Sequence, residues 1–222
     1  SNLDRDVLDW RTLQAATVLA QLGKVGQDNQ IHKTLLKLIA DKNMTLEDRC
    51  QIAKLLGKID YQGAKINGEV TGWQLVQLAV DVFVEEAKRA KMFEDRKISG
   101  SRPIRRDNSR RRPTRRGSGT AVEYERRRAI TLLSDLQVGL RAIGPSVPKE
   151  RAALFKTVTS AIQSAITTTT NPNSIDLDVV DEVRRQAREI LDAASQWKAP
   201  EGTAAAASDE RAKGSVLKTA RS

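Results

Sequence analysis

The spacing of the apolar residues narrows the possible folds first. Trp73, Val76, Val80, Phe83, Ala87 and Ala90 recur at alternating intervals of three and four, and so do Ala129, Leu133, Leu136, Leu140 and Ile143. Such intervals place each set on one stripe of an α-helix. The period-2 alternation of a half-buried strand is almost absent, so the chain is expected to be all-α with no sheet.

Helix punctuation divides the first part of the chain into four segments. The stretch from Leu3 to Gly26 opens with acidic residues and closes on Gly23 and Gly26, as a helix of about twenty residues would. A second helix is expected after Asp28 as N-cap, with Ile31, Leu35 and Leu38 on one face. A third starts at Thr45, with Asp48 three residues on in a capping-box-like turn, and runs to Ile59. A fourth is expected to open with the pair Thr71 and Gln74 and to continue to about residue 92. Between the last two, Gly63 and the Asn67-Gly68 pair suit a tight turn. No phosphate-loop or dinucleotide glycine spacing occurs there.

Two of these helices repeat each other. With Gly23 laid on Gly57, an offset of 34 residues, Val18 falls on Ile52, Leu19 on Ala53, Leu22 on Leu56, Lys24 on Lys58 and Val25 on Ile59. The fuller copy, Arg49, Ile52, Ala53, Leu56 and Gly57, resembles the core of the second helix in HEAT-type repeats. The texture of residues 3–92 is similar to short HEAT-like proteins of planctomycete bacteria. That resemblance implies helices paired through an inward small residue, with a glycine that lets the chain turn toward the next repeat. On this basis residues 1–95 are expected to form a short HEAT-like module.

Charge divides the chain a second time. Residues 1–95 carry a net −1 and residues 129–222 a net +1, whereas residues 96–128 hold 13 basic and 3 acidic side chains, a net +10. Within them lie Arg102, Arg105, Arg106, Arg110, Arg111, Arg112, Arg115 and Arg116, interrupted by Pro103 and Pro113 and with no aromatic residue between them. This composition is that of a disordered basic linker over residues 96–120. It lacks the rings on which bases stack, so any nucleic acid would be held through phosphates without regard to sequence. Arg126, Arg127 and Arg128 extend the charge onto the next helix.

Beyond the linker, residues 121–198 are expected to form a three-helix module. Its helices are marked by the stripe ending at Ile143 before Gly144-Pro145, by Pro148 and Glu150 opening a second, and by Val180, Val183, Ala187, Ile190, Ala194 and Trp197 on a third. Thr167 to Thr170 are expected to fray the middle helix, and residues 199–222 read as a disordered tail. A linker of this kind allows the two helical regions to keep separate cores.

Catalytic and metal-binding patterns are missing. His32 is the only histidine and Cys50 the only cysteine, with no ligand partner at metal spacing. His32 is expected to be solvated or packed between helices, and Cys50 to be a small core residue. No catalytic residue, metal or cofactor is assigned. The apolar run from Val70 to Val84 is broken by Gln74, Gln77 and Asp81, so no transmembrane segment is expected. The expectation is a non-catalytic scaffold for protein partners. The alternative is a nucleic-acid-associated protein that binds phosphates through residues 96–128.

Overall fold

The computed structural model describes residues 2–100, 118–171 and 176–200. It contains seven α-helices among them: α1 (Asn2–Gln21), α2 (Gln30–Ala40), α3 (Leu46–Leu56), α4 (Gly68–Gly100), α5 (Ser118–Ile143), α6 (Lys149–Thr170) and α7 (Asp176–Gln196). No strand occurs among the described residues, where a lone parallel bridge joins Lys24 and Asp60. The all-α expectation holds.

Local chemistry moves several helix ends from their expected places. Asp28 does not cap α2, because Asp28 and Asn29 both adopt positive φ and Asn29 takes the cap position. The Asn29 amide instead donates to the Lys65 carbonyl at 2.8 Å, tying the start of α2 to the loop before α4. Thr45 does cap α3, its hydroxyl accepting from the Asp48 backbone N–H at 3.1 Å and donating to the Asp48 carboxylate. That helix ends at Leu56, and the chain leaves through Gly57.

Thr71 and Gln74 do not open α4. The Asn67 side chain accepts from the Val70 N–H, so the helix begins at Gly68, and the Asn67-Gly68 pair starts a helix instead of closing a tight turn. The other end of α4 runs on to Gly100, past the expected residue 92. α6 continues through Thr170 without fraying at Thr167. The hydroxyls of Thr167, Thr169 and Thr170 donate to carbonyls one turn back, as threonines facing along a helix can.

The two helical regions share one core, in place of the separate cores that the linker allows. Leu35, Ile39, Ile52, Leu56 and Phe83 belong to the same buried cluster as Leu133, Leu136, Leu140, Ile143 and Ile162. The most extensive helix contact joins α3 to α5, and α4 packs heavily on α7. Small residues allow the first of these crossings. A Cβ on Gly139 would collide with the Ala53 carbonyl, and one on Gly57 would stand 2.6 Å from Val138 Cγ1. Ala53 is thus packed directly against Gly139 of α5. At the far end, Trp197 seats its ring over Gly72 and edge-on to Phe155, with centroids 6.3 Å apart, and so pins the end of α7 to α4.

A candidate interaction surface

α1 has apolar residues on two sides. Ala16 and Ala20 are buried in the common core and bring α1 against α3 and α2. On the opposite side Val7, Trp10, Val18 and Leu22 are 49%, 61%, 60% and 60% exposed. At 3.6 residues per turn these four fall within about 120° of the helix circumference, with exposed Arg11, Gln14 and Gln21 interspersed among them. They account for most of the large apolar side chains exposed on the described residues, the others being Tyr124 and Val138. Such clustering departs from the scattered exposure of an ordinary surface.

The internal repeat places this stripe at positions that differ in burial between its two copies. Ile52 and Leu56, the counterparts of Val18 and Leu22, are fully buried. On α1 the same positions face outward. The sequence signal was present in the spacing of Val7, Trp10, Val18 and Leu22. It was obscured because Leu13, Ala16 and Ala20 form a second stripe on the same helix.

The repeat-core residues Arg49, Ile52, Ala53, Leu56 and Gly57 lie together on α3 and its exit. Ile52, Ala53 and Leu56 are fully buried. Arg49 is buried too, donating from Nε to the Ile39 carbonyl at 2.7 Å and from Nη2 to Asp81 at 2.9 Å. One guanidinium thus closes the C-terminal end of α2 and joins it to α4. Asp81 also receives Lys42.

A second ionic cluster fastens α5 to α3 and α4. Arg128 donates to Glu47 at 2.6 Å and to Glu86, and Arg89 faces Glu125 at 3.5 Å. These pairings set α4 and α5 antiparallel. Burial raises the Glu86 pKa above the ordinary carboxylate range, while the Arg128 guanidinium pulls it down. Beside this cluster lies a groove of about 310 Å³, lined by Glu47, Gln51, Tyr124, Arg128 and Asp135. Another, of about 480 Å³ between α5 and α6, is lined by hydroxyls, amides and Arg141, several of them bonded to one another.

His32 is packed between helices, the second of its two expected roles, and is hydrogen-bonded there as well. Thr71 donates its hydroxyl to the Asn67 carbonyl, so its oxygen accepts from His32 Nε2 at 3.0 Å, and Tyr61 O–H is left to donate to Nδ1 at 3.3 Å. The ring is therefore neutral, and burial lowers its pKa to about 4. It connects α2, the loop after α3 and α4. Cys50 is fully buried, and burial pushes its thiol well above the usual range, away from reactive thiolate chemistry.

Among the described residues no three His, Cys, Asp or Glu side chains gather as a metal site, and no helix is long and apolar enough to cross a membrane. The arginines proposed to hold polyanions, Arg102 through Arg116, lie outside the described residues. Comparison with known proteins finds no matching family model, curated protein or solved structure.

Proposed function

We propose that this protein is a non-catalytic protein–protein interaction scaffold built on HEAT-like helical pairs, and that the outward stripe of α1 is the face it offers. The observation that carries this reading is the cluster of Val7, Trp10, Val18 and Leu22 on one exposed side of a helix whose opposite side is already in the core. An exposed apolar cluster around a tryptophan has the chemistry of an interface anchor. The repeat reading is supported by the exits of α1 and α3, which run side by side. Asp60 N–H donates to the Gly23 carbonyl at 2.9 Å, next to the Lys24–Asp60 bridge.

A photo-crosslinking amino acid at position 10, compared in cells with the same group at exposed position 33 on α2, tests the proposal. Protein adducts specific to position 10 are expected. Equal or absent adducts at the two positions would overturn it.

The net +10 of residues 96–128 favours a second reading, attachment to nucleic acid through phosphates. Arg128 contributes nothing to it, since Glu47 and Glu86 already hold its guanidinium. If about five phosphates are neutralised, log K should fall against log salt with a slope near −4 to −5, the same for unrelated duplexes. Replacing Arg110, Arg111, Arg112, Arg115 and Arg116 with glutamine should flatten that slope.

A further inference from the structure

We propose that the groove between α5 and α6 binds a small anionic sugar, with the oxyanion on Arg141 and the sugar hydroxyls on the amides and hydroxyls around it. This site is separate from the α1 stripe and uses none of the arginines between 102 and 116. The charge pattern has a gap there. From Thr157 to Ile175 the sequence holds no charged residue, nineteen positions in a chain whose residues are 30% charged. Ser160, Gln163 and Thr167 belong to this run and are exposed, on the kind of solvent face where a helix usually carries charge.

Among the described residues that line this groove of about 480 Å³, Arg141 alone is charged. Its Nη2 donates to Gln163 Oε1 at 3.0 Å, and Gln137 donates to the same oxygen at 2.6 Å. No carboxylate among the described residues pairs with Arg141. A carboxylate in the place of Gln163 would orient the guanidinium and cancel its charge. The amide orients it and leaves the charge for a ligand. The guanidinium N–H groups that remain form the planar fork that takes a carboxylate or a phosphate. Glu182, which accepts from Ser164, is held by Arg185 at 2.8 Å and by Gln186 at 2.7 Å, so its charge is already met.

The uncharged lining is matched to hydroxyl groups. Thr159 donates its hydroxyl to the Phe155 carbonyl, Thr167 to the Gln163 carbonyl and Ser164 to Glu182, which leaves these three oxygens as acceptors. Gln137 and Gln163 each use one amide hydrogen within the groove and keep a second. Ser160 has no partner among the described residues and can donate or accept. Neighbouring sugar hydroxyls, each donor and acceptor at once, satisfy both kinds of group. A bare anion would use the guanidinium and leave the acceptors unmatched. The volume lies within the roughly 300–1,000 Å³ of small-molecule sites. With a few hydrogen bonds, one charge contact and no apolar wall, the dissociation constant should be on the order of 1 mM.

Amide proton–nitrogen NMR spectra of the 222-residue chain, titrated with sodium glucuronate to about 20 mM at constant ionic strength, test the site. Saturable shifts are expected at the backbone amides of Gln137, Arg141 and Gln163, and glucose 6-phosphate should move the same set. Glucose, acetate and inorganic phosphate each carry half of the chemistry and should bind at least about tenfold more weakly. Arg141→Gln should weaken glucuronate binding by at least about tenfold. Gln163→Glu should do the same while keeping its contact with Arg141, because it neutralises the guanidinium. Circular dichroism should be unchanged in both, since both residues are exposed. Replacing Arg110, Arg111, Arg112, Arg115 and Arg116 with glutamine should leave the titration as it is.

No saturable shift with either sugar would overturn the proposal. So would acetate or inorganic phosphate binding as tightly as glucuronate, or Gln163→Glu binding like the wild type. Loss of binding in the five-glutamine variant would move the anion to the arginine-rich stretch and also overturn it. Shifts of these amides by single-stranded RNA, but by neither sugar, would give the groove to nucleic acid instead.

Discussion

Gly139 of α5 lies so close over the Ala53 carbonyl of α3 that no side chain fits between the two helices. The helices before and after the arginine-rich stretch are joined into one body at this crossing. In an open helix, alanine in place of glycine stabilises by up to about 1 kcal/mol. Here Gly139→Ala is expected to destabilise by about 1–3 kcal/mol through overpacking. Urea denaturation decides it by the sign of the change.

The repeat supplies a matched pair of truncations. Leu56→Ala removes a fully buried side chain between α3 and its neighbours and should cost about 2–5 kcal/mol. Leu22→Ala, at the equivalent position on α1, should change stability by less than about 0.5 kcal/mol in dilute solution. Equal losses at the two positions would mean that α1 is covered within the monomer.

Arg128 is nearly buried among Glu47, Glu86 and Glu125. Arg128→Met should cost about 3–5 kcal/mol, because Glu86 would be left without its counter-charge. Adding Glu86→Gln to that variant should recover part of the loss. A double-mutant cycle with a coupling near zero would show that the pair does not hold α5 to α4.

His32 makes stability depend on pH. Its pKa is about 4 in the folded protein and near the ordinary 6.5 unfolded, so between those values the unfolded chain binds the extra proton. The contribution is complete above pH 6.5 and is lost as pH falls toward 4. A loss on the order of 2 kcal/mol is expected over that interval, measured as the difference between wild type and His32→Leu to remove the carboxylates common to both. Identical pH profiles for the two proteins would rule out this role.

The existence and type of the helices were legible in the sequence because their apolar spacing is regular, and the Thr45 cap was legible because Thr and Asp stand at the right interval. The start of α4 was misread because a distant partner engages the residue that resembles its cap. Thr71 looks like a cap, but its hydroxyl turns back to Asn67 and serves His32, a partner 39 residues away that no local pattern announces. The same limit hid the shared core. Gly57 reads as a helix ending, and its value as a partner to α5 exists only once α3 and α5 cross. On α1 the exposed stripe was masked by apolar residues on both sides, since periodicity alone does not say which side faces solvent.

The crossing of α3 and α5 also fixes what the seventeen residues between Gly100 and Ser118 mean for the chain's entropy. Both of their ends belong to helices of one core, so in the folding reaction they close a ring. Doubling their number would raise the closure cost by only about 0.6 kcal/mol, since that cost grows with the logarithm of length. Cutting them would have a larger effect of a different kind. α1–α4 and α5–α7 would become two molecules whose reunion depends on concentration, and neither would carry the other half of its interior.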